Sequence, residues 1–186
     1  MRRMTALLLA LMLLAVPAFA QEAPADAEQA DTEEDAARVA VNLQAIKVML
    51  DASELTFTYQ EESDTFALRY TLECEMGKAI LWITAYDDGV WLRADYEEDV
   101  PEDKWDEFLR FCSLCNEEGR LGCFYLDREN RSVGYKQFLY TDVLPPTQAS
   151  LTMNTALALG MLEYRGNGTA AILFQDATAE EAIKLE

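Results

Sequence analysis

Alternation of apolar and polar residues between positions 55 and 97 constrains the fold of this chain more than any other feature. The clearest part is the segment 66–74, where apolar side chains recur at every second position: Phe66, Leu68, Tyr70, Leu72 and Cys74. A period of two places them on one side of an extended strand. Segments 55–61, 79–86 and 90–96 predict three further strands. The sequence therefore predicts a four-stranded antiparallel meander with one face on a core.

Two short segments are predicted to connect these strands as turns. Asp87-Asp88-Gly89 predicts a tight hairpin, because glycine readily adopts the positive φ angle that such turns require. Residues 75–78, which include Gly77, predict a second turn. Short connections of this kind join antiparallel neighbours.

Helical spacing replaces the alternation on either side of the meander. A first helix is predicted over about residues 34–50 from apolar residues three or four positions apart: Val39, Leu43, Ile46 and Leu50. Pro101 predicts the start of a second helix, because its fixed φ suits the first helical turn. The apolar stripe of that helix comprises five residues: Trp105, Phe108, Leu109, Cys112 and Cys115. Gly119 is predicted to end it in the left-handed conformation.

The remaining segments predict a hairpin and two more helices. Residues 120–127 and 132–140 form the predicted hairpin, and Pro145-Pro146 precedes a long helix expected to reach about Tyr164. The segment 165–169, with two glycines, is expected to interrupt this helix, and Thr178-Ala-Glu-Glu181 is a capping-box pattern before a short last helix. The predicted fold is therefore α+β. It is an antiparallel sheet packed with helices, in the order helix, four strands, helix, two strands, helix, helix.

The segment 105–140 and the helices predicted after it resemble those of a known family. The segment 105–140, WDEFLRFCSLCNEEGRLGCFYLDRENRSVGYKQFLY, ends a helix in an asparagine turn and enters a Gly-x-Phe-Tyr-Leu-Asp strand. Together with the proline-initiated long helix and the closing TAEEAI, it resembles the YbjN-type domain, of the type III secretion chaperone-like class. The resemblance covers residues 37–186. It implies a small α+β domain linked to regulation or protein–protein contact, with no catalytic residues to carry over. It also implies recognition through sheet edges, helix grooves or a self-dimer.

The N-terminal segment predicts export. Arg2 and Arg3 precede the apolar run 5–16, and Ala18-Phe19-Ala20 is a small-x-small cleavage site before Gln21. This is the pattern of a secretory signal peptide over residues 1–20, and the run is too short for a transmembrane helix. We expect a periplasmic, cell-envelope or extracellular protein with no stable membrane anchor after cleavage. The acid-rich residues 21–36 are predicted to form a flexible linker before the domain at 37–186.

Charge and histidine content narrow the function. The chain has 34 Asp and Glu against 15 Lys and Arg, with a formal net charge of −19. Such a surface repels nucleic acid and anionic lipid, so any partner is expected to be basic or to be recognised by shape and apolar contact. The chain contains no histidine, which excludes Ser-His-Asp and Cys-His catalysis and every histidine metal site. We expect neither an enzyme nor a cofactor.

The four cysteines, Cys74, Cys112, Cys115 and Cys123, are the other candidates for chemistry. A redox CxxC pair needs a helix N-terminus to lower a thiol pKa, but Cys112 and Cys115 lie near the C-terminal end of their predicted helix. Four thiolates could hold zinc, but Cys74 and Cys123 are isolated strand residues. Buried thiols and one disulfide of open pairing are equally compatible with the sequence. No catalytic, cofactor-binding or metal-binding residue is predicted.

Trp91 is the predicted interaction residue, because it lies on the Arg93 and Asp95 side of its strand and is expected to be exposed. We interpret the chain as an exported, non-enzymatic protein-interaction or regulatory module whose partner is an unidentified protein, with a second copy of the chain as one candidate. The first alternative is a module that binds a small apolar ligand under the long helix. The second is a thiol-redox protein that uses Cys112 and Cys115.

Overall fold

The structure is a computed structural model that describes residues 25–117, 119 and 121–185, with side chains from Thr32 onward. The chain divides into two compact units, Met1–Glu33 and Glu34–Glu186. The predicted signal peptide, the cleavage site and residues 21–24 lie outside the described residues. The description below concerns the second unit unless residues 25–33 are named.

Six strands form one antiparallel sheet, and the predicted meander and hairpin are confirmed. The strands are β1 Thr58–Gln60, β2 Thr65–Thr71, β3 Lys78–Ala85, β4 Gly89–Tyr96, β5 Cys123–Asp127 and β6 Ser132–Tyr140. Their order across the sheet is β1-β2-β3-β4-β6-β5, so the hairpin joins the meander through β6. The two edge strands are β1 and β5.

Four α-helices in the described part of the chain complete the α+β fold, in the predicted order. They are α1 Ala25–Ala52, α2 Trp105–Glu117, α3 Gln148–Gln175 and α4 Ala179–Ala182. Two short 3₁₀ turns, Glu61–Ser63 and Glu102–Lys104, precede β2 and α2. Among the described helices, none has the length and apolar character needed to cross a membrane.

The core lies between one face of the sheet and the helices. One row of directly paired residues crosses four strands and is buried throughout: Leu68, Leu81, Ala94 and Tyr135. The side of α3 that faces the core contributes Leu151, Ala158 and Leu162, each fully buried. Tyr96 in β4 donates a hydrogen bond of 2.6 Å from its hydroxyl to the Leu162 carbonyl, which ties the sheet to α3. The region under the long helix, one predicted ligand site, is therefore occupied by packed core side chains.

The first helix begins earlier than predicted. It starts at Ala25 rather than near Glu34, so residues 25–36 of the predicted flexible linker are helical. This segment is rich in alanine and glutamate and has no glycine or proline after Pro24. Those residues favour a helix by their intrinsic propensity even where nothing apolar is buried. Apolar burial alone is therefore not a sufficient criterion for where the helix begins.

The predicted interruption of the long helix is wrong. Helix α3 runs without a break through Gly166 and Gly168 to Gln175. A Cβ atom at Gly166 would lie 2.1 Å from the Cys74 sulfur, and one at Gly168 would lie 2.5 Å from the Ala182 carbonyl oxygen. The two glycines are thus required by close packing against neighbouring segments, not by a turn.

Gly89 and Gly119 lie next to a turn and a helix end as predicted, but not because of the positive φ that the prediction assumed. Gly89 does follow the β3–β4 turn and Gly119 does follow α2, but neither has a positive φ. At Gly89, a Cβ atom would lie 2.5 Å from the Phe138 ring and from the Leu139 carbonyl oxygen. Glycine at this position therefore makes room for an aromatic ring. Gly77, in the β2–β3 turn, does have a positive φ of 70°.

The buried stripe of α2 differs by one residue from the prediction. Phe108, Cys112 and Cys115 are buried, but Leu109 is 42% exposed and Phe111 takes its place in the core. The stripe therefore follows the spacing i, i+3, i+4, i+7, which is the regular pattern of a helix with one buried side.

Edge strand β5 is capped by a side chain from the end of α2. The Asn116 amide donates to the Phe124 carbonyl oxygen over 2.9 Å and accepts from the Phe124 N–H over 2.7 Å. Both main-chain groups of Phe124 are thereby bonded to one asparagine at the end of α2.

Candidate functional site

The face of the sheet directed away from the core is the candidate site, and we call it the open face. One row of register partners crosses it on five strands: Thr58, Ala67, Trp82, Arg93 and Lys136. The next row contains Gln60, Thr65, Thr84, Trp91 and Phe138. Most of these side chains are exposed or half-buried, in contrast to the buried rows on the core face. Within the described part of the chain, the open face is therefore the side of the sheet that presents side chains to solvent.

An aromatic strip lies along one end of the open face and consists of Tyr86, Trp91, Phe138 and Tyr140. Trp91 and Phe138 are direct partners across β4 and β6, with ring centroids 6.1 Å apart and nearly perpendicular planes. Tyr86 lies 6.3 Å from Trp91, and Tyr140 lies 4.7 Å from Phe138. Trp91 is 38% exposed and Tyr140 is 74% exposed. The strip therefore presents a row of accessible rings.

Two cations lie over aromatic rings in the centre of the open face. The Arg93 guanidinium is 5.5 Å from the Trp82 ring centroid. The Lys136 amine is 4.7 Å from the Tyr125 centroid and 5.8 Å from the Trp91 centroid. Such contacts hold a cation near the surface by its attraction to the ring face. No ion pair joins Lys136 to a carboxylate among the described residues.

A buried carboxylate on the same face of β4, that of Asp95, anchors Arg93. The Asp95 carboxylate forms an ion pair with Arg93, in which Nε and Oδ2 are 2.9 Å apart. It also accepts a hydrogen bond from the Tyr125 hydroxyl. Burial raises the pKa of Asp95, and the bonds from Tyr125 and Arg93 partly oppose that rise. Burial and the nearby Asp95 raise the pKa of Tyr125, so its hydroxyl stays protonated and continues to donate. The orientation of Arg93 is thus fixed by a network of side chains from two strands, β4 and β5.

Two shallow grooves cross the open face side by side. The first, of about 390 Å³, lies between Trp82 and Trp91 and is also lined by Arg93 and Lys136. The second, of about 330 Å³, continues from Trp82 toward Phe57 and is also lined by Arg69. Gln60 and Trp82 line both grooves. The combined lining contains the three cations Arg69, Arg93 and Lys136 and no carboxylate, in a chain with 34 acidic residues.

Three of the four cysteines, Cys74, Cys112 and Cys115, lie in or next to the core, whereas Cys123 is the register partner of Lys136 in the open-face row. Cys112 and Cys115 are buried on α2, Cys74 follows β2 and Cys123 begins β5, the last two half-buried. All four are free thiols in this structure. The described residues contain no group of three or more Cys, Asp or Glu side chains arranged to hold a metal ion.

Burial decides the chemistry of Cys112. Burial, with smaller contributions from the neighbouring Cys115 and Cys123, raises the pKa of this thiol from an ordinary value of 9.0 to about 12. Burial also raises the pKa of Cys74. A nucleophilic cysteine needs a lowered pKa, so Cys112 is a neutral core side chain at physiological pH.

Sequence reasoning identified Trp91 and missed the side chains around it. The structure places Trp91 in the aromatic strip with Tyr86, Phe138 and Tyr140, and places Lys136 beside it. Lys136, Phe138 and Tyr140 alternate along β6, which is a signal that could have assigned them to one face. The pairing of β6 with β4, which joins the two halves of the site, had no local signal.

The fold and the open face define a class: a small α+β domain with helices on one side of an antiparallel sheet and an aromatic, cationic surface on the other. A family model, YbjN, described as a putative bacterial sensory transduction regulator, matches residues 42–161. The chain belongs to the YbjN family, as the sequence resemblance predicted, and the match includes all six strands. A comparison with curated proteins found no significant match. The family description is that of a regulator, not of an enzyme.

Proposed function

We propose that this protein is an exported, non-enzymatic regulatory module that binds a partner protein through its open face. The observation that carries the proposal is the aromatic strip. Solvent-exposed aromatic residues gathered in one patch are typical of interaction surfaces, since tyrosine and tryptophan combine a large apolar area with a polar group. The description of the family as a regulator supports the same function.

The arrangement of the other candidate residues also favours binding over catalysis. The Cys112 thiol is buried with a pKa of about 12, and Asp95 is occupied by Arg93 and Tyr125. Neither group is available to attack a substrate or to transfer a proton at the surface. The exported location rests on the N-terminal segment, whose charged, apolar and small-residue regions follow the order of a signal peptide.

The test is to measure how the aromatic strip contributes to partner capture. The purified protein is immobilised, exposed to a cell-envelope fraction of the source organism, and the bound partner is then identified, purified and titrated. A central interface tryptophan commonly contributes at least about 2 kcal/mol, so Trp91→Ala should weaken binding about thirtyfold. Because the Trp91 side chain is partly exposed, this variant should keep its circular dichroism spectrum.

Phe174→Ala is the matched control, since Phe174 is an exposed aromatic residue on α3, away from the open face. It should bind the partner with the affinity of the unchanged protein. If Trp91→Ala retains full affinity while Phe174→Ala loses it, the partner binds elsewhere and the proposed function of the open face is wrong.

A further inference from the structure

We infer that the open face takes an extended acidic peptide segment of the partner, with its carboxylates at Lys136, Arg93 and Arg69 and its apolar side chains on the rings between them. This inference rests on the proposed function and names the chemistry of the partner. It differs from the expectation drawn from net charge alone, which favoured a partner that is basic or is recognised by shape and apolar contact.

The charge of the groove lining is the first argument. Acidic residues outnumber basic residues by more than two to one in the whole chain, but the two grooves are lined by three cations and no carboxylate. Arg93 and Arg69 each have one carboxylate partner, Asp95 and Glu97, outside the lining. Among the residues that the structure describes, Lys136 contacts two aromatic rings and no carboxylate, so its charge is available to a ligand.

Long-range repulsion does not cancel this local attraction. At physiological ionic strength the screening length is about 8 Å, so acidic groups on the far side of the molecule act only weakly at the grooves. Contacts within a groove are shorter than that length and are screened less. The total charge therefore slows the approach of an acidic partner more than it weakens the bound state.

The shape of the surface is the second argument and favours a peptide over a compact anion. The row from Lys136 through Arg93, Trp82 and Ala67 to Thr58 crosses five strands. With neighbouring strands about 4.8 Å apart, the row is roughly 19 Å long. An extended chain advances about 3.3 Å per residue, so about six residues span it. The grooves are shallow and continuous, which suits a strand-like segment lying across the sheet.

The inference is tested with synthetic peptides and does not need the natural partner. The probe is a short peptide in which glutamate and phenylalanine take turns at every second position, with serine between them, so that an extended chain directs both kinds of side chain to the same face. The matched peptide carries glutamine at each glutamate position. Glutarate, a free dicarboxylate, is the third ligand. Titrations follow tryptophan fluorescence, since Trp82 and Trp91 line the first groove, and are repeated by calorimetry. We expect the glutamate peptide to bind at least about tenfold more tightly than the glutamine peptide and to weaken with added salt.

Two lysine variants separate a local contact from a change in total charge. Lys136→Met removes the charge in the groove but keeps an apolar stem against Trp91 and Tyr125. It should weaken the glutamate peptide about threefold to fivefold and leave the glutamine peptide unchanged. Lys78→Met makes the same change in net charge at the exposed start of β3, outside both groove linings, and should leave both peptides unchanged.

Three results would overturn the inference. One is equal affinity for the glutamate and glutamine peptides, and another is an equal effect of Lys136→Met and Lys78→Met. The third is binding of glutarate as tight as that of the glutamate peptide, which would assign the groove to small anions. None of these results decides the proposed function, which fails if Trp91→Ala keeps full affinity for the natural partner while Phe174→Ala loses it.

Discussion

At the scale of single residues, Cys112 shows how burial determines what a reactive side chain can do. It lies on the buried side of α2 beside Phe111 and one turn after Phe108, and both rings are almost fully inaccessible. The CxxC spacing of Cys112 and Cys115 is that of redox and metal-binding motifs. In α2 this spacing places both thiols on the side of the helix that faces the core. Their contribution is therefore to packing.

Replacement of Cys112 should reveal this packing role. Cys112→Ala is expected to lower the free energy of unfolding by about 1–2 kcal/mol through a small cavity. Cys112→Ser should cost at least as much, because it buries a hydroxyl in an apolar environment. Cys123→Ala, at a half-buried position, is the control and should cost less. Denaturant unfolding of the three variants gives the comparison.

The pKa of Cys112 adds a pH dependence whose sign can be stated. The folded pKa lies above the unfolded one, so the folded protein keeps a proton that the unfolded chain loses. The stability that comes from keeping the Cys112 thiol protonated in the folded state is fully present below about pH 9. It is lost as the pH rises toward about 12. Cys112→Ala should remove this part of the alkaline loss. Rapid reaction of the native Cys112 with a thiol reagent at neutral pH, or one zinc ion recovered per chain, would refute the packing role.

At the scale of elements, α3 depends on glycines at its contact with the C-terminal segment. A Cβ atom at Gly168 would lie 2.5 Å from the Ala182 carbonyl oxygen and 3.1 Å from the Phe111 ring. The first of these is main chain of α4, which cannot rotate away. The absence of a side chain at Gly168 therefore sets how closely α3 and α4 approach.

Two alanine substitutions in the same helix should have opposite effects. Gly168→Ala forces α4 away from α3 and should lower the free energy of unfolding by about 1–3 kcal/mol. Gly160→Ala has no atom within 4 Å of the added Cβ and should raise stability by about 0.5–1 kcal/mol, because alanine favours a helix. Thermal unfolding measures both. A stabilising Gly168→Ala would show that α4 adapts at little cost.

The elements also show which parts of the fold a single sequence can predict. Alternation in 66–74 predicted the buried side of β2 correctly, because a two-residue period depends only on local geometry. The burial of Phe111 in place of Leu109 could not be predicted, since both lie near the edge of one helical stripe and packing against neighbouring elements selects between them. The glycines of α3 were misread because their neighbours, Cys74 and Ala182, are distant in sequence.

The same limit applies to the candidate site. Exposure of Trp91 could be predicted from the alternation within β4 alone. The cationic groove could not, because it requires Lys136 of β6 beside Arg93 of β4, and a pairing between strands so far apart in sequence leaves no local pattern. The sequence thus predicts which side chains of one strand are exposed. It does not predict a surface that several strands build together.

At the scale of the whole molecule, the expectation of export rests on the N-terminal segment. If residues 1–20 are a signal peptide, N-terminal sequencing of the exported protein should begin at Gln21. Ala20→Leu is the control, because it removes the small residue at the cleavage site and should leave a longer, unprocessed chain. Recovery of intact Met1 in a membrane fraction of the unchanged protein would contradict the prediction.

The bond between Asn116 and Phe124 has a consequence for the molecule at high concentration. A sheet grows into a fibre when a second chain adds to the free main chain of an edge strand. On the β5 side, the N–H and C=O of Phe124 are already occupied by the asparagine. On the other side, β1 offers only three residues, too short a template for a stable added strand. Both edges of the sheet are therefore poor templates for an added strand, so edge-to-edge growth of the sheet is disfavoured when the protein is concentrated.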